Sequence, residues 1–308
     1  MNFNQQPLKH IITIAILMNC IVLFGNNPTP KQTTTSLDKP LNTNNSLLWQ
    51  ISGNNLQKPS YLYGTIHVIS QDDFFIGKNV KKKLQKADKL IMEMDLNNMD
   101  VAALATLSLL DSGKTIKNYM NDSDYNRLES FMEKSIGIKK FTFESFYSRL
   151  KPLYLEQLIF FKYLGQEKES YEQNFKHIAE GKHISIAGLE TMEEQLKFMD
   201  QISLETQLQS IIKTINNYKE ETKKMDELVQ YYKAQDLTAL TKYFEEEDTA
   251  MVDNLLSKRN HNWIPKLISF IKDKPCFIAV GAGHLGGENG IINLLKKEGY
   301  TIEPVSIN

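Results

Sequence analysis

The stretch "PCFIAVGAGHLGGENGIINLLKKEGYTIEPV", residues 275–305, decides the fold class. It opens on a run, 275–284, that is nearly all apolar, as a strand buried on both faces requires. A Gly-rich turn follows, then "NGIINLLKK" with apolar residues at helical spacing, Gly299 as a stop, and "TIEPV" as a further strand. Strand, helix and strand in succession belong to an α/β fold with a central sheet. The front of the folded part reads the same way. "LLWQIS" (47–52) and "SYLYGTIHV" (60–68) are strand-like and joined by a turn, "NVKKKLQKA" (79–87) is helical, and "KLIMEMDL" (89–96) is a strand. Between about 98 and 180 the periodicity is helical, in "MDVAALATLSLL", "DSDYNRLESFMEKSIG" and "PLYLEQLIFFKYL", with Asp122 and Ser123 as candidate caps and Pro152 in a first turn. "HISIAGLE" (183–190) is a short strand, and a long helical stretch covers roughly 191–272.

Both ends of the chain carry the same small device. Gly64 precedes His67 in "YLYGTIHV", and Gly281 precedes His284 in "FIAVGAGHLGG". Each places a histidine where a strand finishes, which in open α/β sheets is the edge that binds ligands. Alternation puts Tyr61, Tyr63, Thr65 and His67 on one face, while Gly64 lets a neighbouring backbone come close. In "LIMEMDL", Ile91, Glu93 and Asp95 share a face, so two carboxylates project from an otherwise apolar strand. Such groups need a metal ion, an arginine or solvent to answer their charge. Glu190 ends another strand and serves either as a third carboxylate in the cleft or as a charge at a helix N-terminus. Arg259 lies in a polar helical stretch, "DNLLSKRNHNW", and by its residues alone reads as a surface arginine. His177, His183 and His261 sit in polar segments and read as solvated. The loop after Gly281 lacks the Lys-Ser/Thr of a phosphate-binding loop.

Composition narrows the class further. A formal net charge of −1 over 308 residues provides no field for nucleic acid. The cysteines are Cys20 and Cys276, so neither an internal disulfide nor a Cys-rich zinc site is expected in the folded body. "IITIAILMNCIVLF" (11–24) is short for a membrane span and suits an export signal. "LMNC" resembles a degenerate lipobox with an unusual Asn19, which makes Cys20 a candidate lipidation site. Ordinary secretion to the periplasm and an uncleaved anchor are the alternatives. Residues 25–46, "GNNPTPKQTTTSLDKPLNTNNS", hold almost nothing that forms a core and read as a disordered polar tether. The expected organisation is signal 1–24, tether 25–46 and folded domain 47–308.

Taken together, "YLYGTIHV", "LIMEMD", "KPLYLEQL", "ISIAGLETMEEQL", "LLSKRNHNW" and the 277–305 stretch resemble, in that order, the TraB/GumN family. That family is related to the Tiki metalloproteases and more distantly to erythromycin esterases and haem-binding ChaN lipoproteins. The resemblance implies a single α/β domain with a central mixed sheet flanked by helices and a large helical insertion between the halves of the sheet. It implies that His67, Glu93, Arg259 and His284 converge on one cleft, with Glu190 nearby. It further implies peptide hydrolysis dependent on a divalent metal, manganese or cobalt, with zinc as a further candidate. On that expectation His67, His284 and Glu93 hold the metal, Glu93 and Arg259 serve catalysis, Glu190 and Asp95 touch a peptide or small-molecule substrate, and Gly64 and Gly281 are structural. Whether Glu93 is ligand or general base stays open. So do two other readings: a metal-free hydrolase of esterase type with His67 as base, and a lipoprotein that sequesters a peptide or haem without turning it over.

Overall fold

A computed structural model of the chain describes residues 45–95, 105–111, 113–246 and 252–308. The signal, Cys20, nearly all of the tether and the first half of the helix expected from "MDVAALATLSLL" lie outside the described residues. The strands of the main sheet are β1 (Leu48–Ser52), β2 (Ser60–Thr65), β4 (Lys89–Met94), β6 (Ser185–Glu190), β7 (Cys276–Gly281) and β8 (Thr301–Val305). Two three-residue strands, β3 (Val68–Ser70) and β5 (Lys168–Ser170), pair antiparallel as a separate small sheet. The main sheet runs β6-β4-β7-β2-β1-β8. β6, β4, β7 and β2 are parallel, while β1 is antiparallel to β2 and to β8. The fold is therefore mixed α/β, with the first and last strands, β1 and β8, side by side at one edge of the sheet.

Each face of that sheet carries its own core, because alternate side chains point to opposite sides. Leu48, Tyr63, Leu90, Met92, Phe277 and Ala279 pack on one face with Phe175, Tyr171, Tyr232 and Leu228. Trp49, Ile51, Leu62, Ile91, Ile278 and Val280 pack on the other with Trp263, Leu267, Ile271 and Leu295. The helix α1 (Lys78–Leu84) contributes Val80 and Leu84 to the first core, and α11 (Ile291–Lys297) contributes Ile291 and Leu295 to the second.

The helical part is divided by β6. Before it come α2 (Asp122–Phe131), α3 (Lys140–Ser145), α4 (Pro152–Tyr163) and α5 (Tyr171–Glu180). The single helical stretch expected over 191–272 is several helices: α6 (Met192–Met199), α7 (Leu204–Asn216), α8 (Tyr218–Lys233), α9 (Leu237–Glu245) and α10 (Lys258–Asp273). Caps explain the breaks. Thr191, Ser203 and Asp236 each accept a hydrogen bond from a backbone N–H three residues on, which starts a new helix. The cap of α2 is Asn121, one residue before the expected Asp122 and Ser123, while Pro152 does occupy the first position of α4. Ile116, Leu128, Phe143, Leu155, Leu208 and Ile211 form a third core, built from helical segments alone. No helix among the described residues is long and apolar enough to cross a membrane.

Candidate active site

Four parallel strands end on one edge, and the edge gathers the polar side chains. Glu93 is the penultimate residue of β4, Glu190 the last of β6, Gly281 the last of β7, and His284 closes a one-turn helix (Ala282–His284) after β7. His67 follows β2, which stops at Thr65, so it does not share the pleat of Tyr61 and Tyr63 as simple alternation predicts. Its φ of +57° turns the chain out of the strand before β3 begins. A side chain rarely holds this conformation without fixed partners, and the Tyr171 N–H donates to the His67 carbonyl at 2.8 Å.

Arg259 is where the residues alone misled. The expected surface arginine is 1% exposed. The stripe Trp263, Ile264, Leu267 and Ile271 on α10 faces the sheet, and one turn back the same stripe reaches Arg259 and Asn260. A π-helical segment, Asp253–Ser257, precedes α10 and breaks the helical phase. Reading the run from its polar N-terminal side hid the stripe; reading it backward from Trp263 would have shown it.

The guanidinium joins two carboxylates. Nη2 donates to Glu93 Oε2 at 2.6 Å and to Glu190 Oε1 at 2.5 Å, Nε donates to Glu190 Oε2 at 3.2 Å, and Nη1 donates to the Leu255 carbonyl at 3.0 Å. Glu190 is further held by Trp263 Nε1–H at 3.1 Å and by the Gln195 amide at 3.0 Å. The second oxygen of Glu93, Oε1, accepts the Gly281 N–H at 2.8 Å. Nε2 of His67 and Nε2 of His284 each lie 3.6 Å from this same oxygen.

Both imidazoles are oriented from behind. His67 Nδ1 donates to Glu172 Oε1 at 2.7 Å. His284 Nδ1 donates to Asn260 Oδ1 at 2.7 Å, and the amide's orientation is set because its Nδ2 donates to the carbonyls of His284 and Asn289. In their neutral forms the rings therefore turn an unprotonated Nε2 toward Glu93. The His284 Nε2 receives a long contact from Arg259 Nη1 at 3.4 Å, and the His67 Nε2, although buried, has no hydrogen-bond partner. The ring of Trp263 backs His284 at 4.4 Å between centroids.

Glycine leaves the space between them. A Cβ on Gly281 would stand 2.8 Å from His67 Nε2 and 3.4 Å from Glu93 Oε1. A Cβ on Gly64 would stand 2.9 Å from Leu285 Cδ2 and 3.1 Å from Ala282 Cα, so that glycine lets the turn after β7 lie against β2. Asp95 follows the last residue of β4 and is partly buried. Sequence reasoning missed Glu172, Asn260, Trp263 and Gln195. Nothing local marks Glu172, since its role comes from the pairing of β3 with β5.

The charges are strongly coupled. Burial works against ionisation of Glu93, but Arg259 and, after it, the two imidazoles and the Gly281 N–H outweigh it and hold the carboxyl down to about 2. Burial dominates at His284 and pushes it down to about 3, so it is a neutral ring. Burial also opposes charge on His67, yet Glu172 and then Glu93 overcome it and raise that ring above the usual histidine range. Burial raises Glu190 even against the pull of Arg259.

A sequence profile of the TraB/PrgY/gumN family matches residues 47–304. The chain belongs to this family. Proteins similar to it include metalloprotease TIKI2 of Xenopus tropicalis, 22% identical over 84% of this chain and 60% of its own length. Metalloprotease TIKI1 of Danio rerio is likewise 22% identical, over 84% of this chain and 63% of its own length. Metalloprotease TIKI1 of Homo sapiens is 21% identical, over 84% of this chain and 62% of its own length. The chain thus aligns with somewhat under two thirds of these relatives. No solved structure matches significantly. The TraB/PrgY/gumN match spans β1 to β8 and so contains every residue of the cluster.

Proposed function

We propose that this chain is a divalent-metal-dependent hydrolase that cleaves peptide bonds. One observation carries the reading: three acceptor atoms, His67 Nε2, His284 Nε2 and Glu93 Oε1, meet beside a glycine, the two nitrogens each 3.6 Å from the oxygen. With both rings neutral, three lone pairs face one another, one of them on a buried nitrogen with no hydrogen-bond partner, and a cation there takes the place of the proton that His67 otherwise holds. Among the described residues no set of His, Cys, Asp or Glu side chains is closed tightly enough to hold a metal as it stands. The donor chemistry nonetheless fits, because each ring is held through Nδ1, as metal-ligating histidines are, while His67 Nε2 has no hydrogen-bond partner and His284 Nε2 has only the long 3.4 Å contact from Arg259. His67, His284 and Glu93 would hold the ion. The relatives' name, metalloprotease, supports the same reading.

A bound divalent ion supplies Lewis acidity, polarising a carbonyl and acidifying water. The rest is done by the chain. Glu93 presents Oε1 to the gap while Oε2 stays on Arg259, so one carboxylate oxygen faces the reacting centre in a fixed direction. The Arg259 donors are committed to Glu93, Glu190, the Leu255 carbonyl and His284. We therefore read Arg259 as the strut that positions Glu93, in preference to a donor to the substrate. A cleft of about 510 Å³ opens between α6 and α10 and borders the cluster through Glu190 and Trp263, though none of His67, His284 and Glu93 lines it. The N-terminal segment belongs to the same proposal as an export signal with Cys20 as lipid acceptor, which the mass of the mature N-terminus tests.

The decisive experiment is cleavage of a random peptide library by the purified protein. Activity should vanish with a chelator, return with manganese, cobalt or zinc, and be absent in His67→Ala and His284→Ala. Activity that survives chelation points to the metal-free hydrolase instead, which the His67–Glu172 pair favours because it presents a basic nitrogen by itself. Tight peptide binding without products would identify a sequestering protein.

A further inference from the structure

We propose that Glu172 is a positioning residue that locks His67 into the one tautomer and orientation the reaction centre needs. The inference rests on the function proposed above only for what His67 then does, since the locking itself is read from contacts within the chain.

Those contacts form a closed ring. The His67 backbone N–H donates to Thr65 Oγ1 at 3.2 Å, Thr65 Oγ1–H donates to Glu172 Oε1 at 3.0 Å, and His67 Nδ1–H donates to that same oxygen at 2.7 Å. The other oxygen, Oε2, receives Ser170 Oγ–H at 3.2 Å. One carboxylate therefore ties the histidine's main chain, through threonine, to its ring. The small sheet exists at this place: Val68 pairs with Ser170, and the Tyr171 N–H holds the His67 carbonyl. Glu172, 105 residues away in sequence, is brought to His67 by that pairing. The left-handed φ of His67 is held by the same contacts.

Glu172 also makes the two histidines unequal. His67 is backed by a carboxylate and His284 by the neutral amide of Asn260. A carboxylate behind an imidazole raises the basicity of the far nitrogen, whereas an amide chiefly fixes its direction. His67 is thus the stronger donor of the pair toward whatever occupies the gap beside Gly281.

The test uses the full chain labelled with ¹⁵N-histidine, long-range ¹H–¹⁵N correlation above the titration of the rings, and equilibrium dialysis against Mn²⁺. In the wild type, His67 should carry its proton on Nδ1. Glu172→Ala should mix the tautomers and weaken Mn²⁺ binding by about 10- to 100-fold. Glu172→Gln keeps an oxygen acceptor but no charge, so it should preserve the tautomer and lose about tenfold in affinity. A wild-type tautomer in Glu172→Ala, or wild-type affinity in Glu172→Gln, overturns the proposal. Should Glu172→Ala fail to fold, the Glu172→Gln affinity decides. A wild type that binds no Mn²⁺ would sink the metal reading, while the tautomer in Glu172→Ala would still judge Glu172.

Discussion

A single guanidinium holds the centre of this molecule in place. Arg259 is buried with Glu93 and Glu190, and removing one partner of such a group leaves a charge with neither water nor counterion. Arg259→Gln should cost about 3–5 kcal/mol, a fall in melting temperature on the order of 10 °C, and should abolish activity. A thermal melt beside the peptide assay checks both; a stable, active variant would contradict the role of strut. Gly281→Ala separates site from fold. Its methyl would enter the gap 2.8 Å from His67 Nε2, so metal binding and turnover should fall at least tenfold with a smaller effect on stability. Equal losses of both would mean that the glycine serves the fold alone. Acid is a further probe. Glu93 is held down to about 2, so its stabilisation is complete above about pH 4.5 and is lost as pH falls toward 2. In Glu93→Gln the acid arm of the stability profile should be flatter.

At the scale of elements, the helical part carries a polar group that the site does not use. Glu156 on α4 is 1% exposed. Its Oε1 accepts Ser210 and Thr214 of α7, its Oε2 has no partner, and the charge that faces it is that of Glu221 on α8, which Lys224 pairs. Burial pushes the carboxyl up to about 8, so the folded chain holds a proton that the unfolded chain releases near pH 4.5. Stability from this group is complete below that pH and declines as pH rises through about 8. Urea titrations between pH 5 and 9 should show the wild type weakening and Glu156→Gln nearly level. A parallel decline in both would place the effect elsewhere. Two devices legible as sequence patterns, the Gly-x-x-His steps, end elements that the sheet then sets side by side: β2 pairs directly with β7.

For the whole molecule, the site exists only when the sheet closes. His67 comes from the first third of the chain and His284 from its end, and each lies 3.6 Å from the same oxygen of Glu93. An ion held by all three would bind the folded chain in preference to the unfolded one. At a hundredfold excess over its Kd it should add about 2.7 kcal/mol of stability. Differential scanning fluorimetry with manganese should show an upward shift that His67→Ala, His284→Ala and Glu93→Gln each remove. A shift that persists in all three would locate the ion away from this cluster.

The sequence alone determined the α/β class, the placing of His67, Glu93, Glu190 and His284 at or just past the ends of strands, and the resemblance to TraB/GumN proteins, because apolar periodicity and short motifs are local properties of a chain. Only the tertiary structure decided that Arg259 is buried, since its stripe is read through Trp263 and its neighbours lie on other elements. Only it brought Glu172 and Asn260 behind the two imidazoles. Those partners are remote in sequence or hidden in a polar helix turn, and hydrogen bonds between distant segments leave no periodic trace in the chain that makes them.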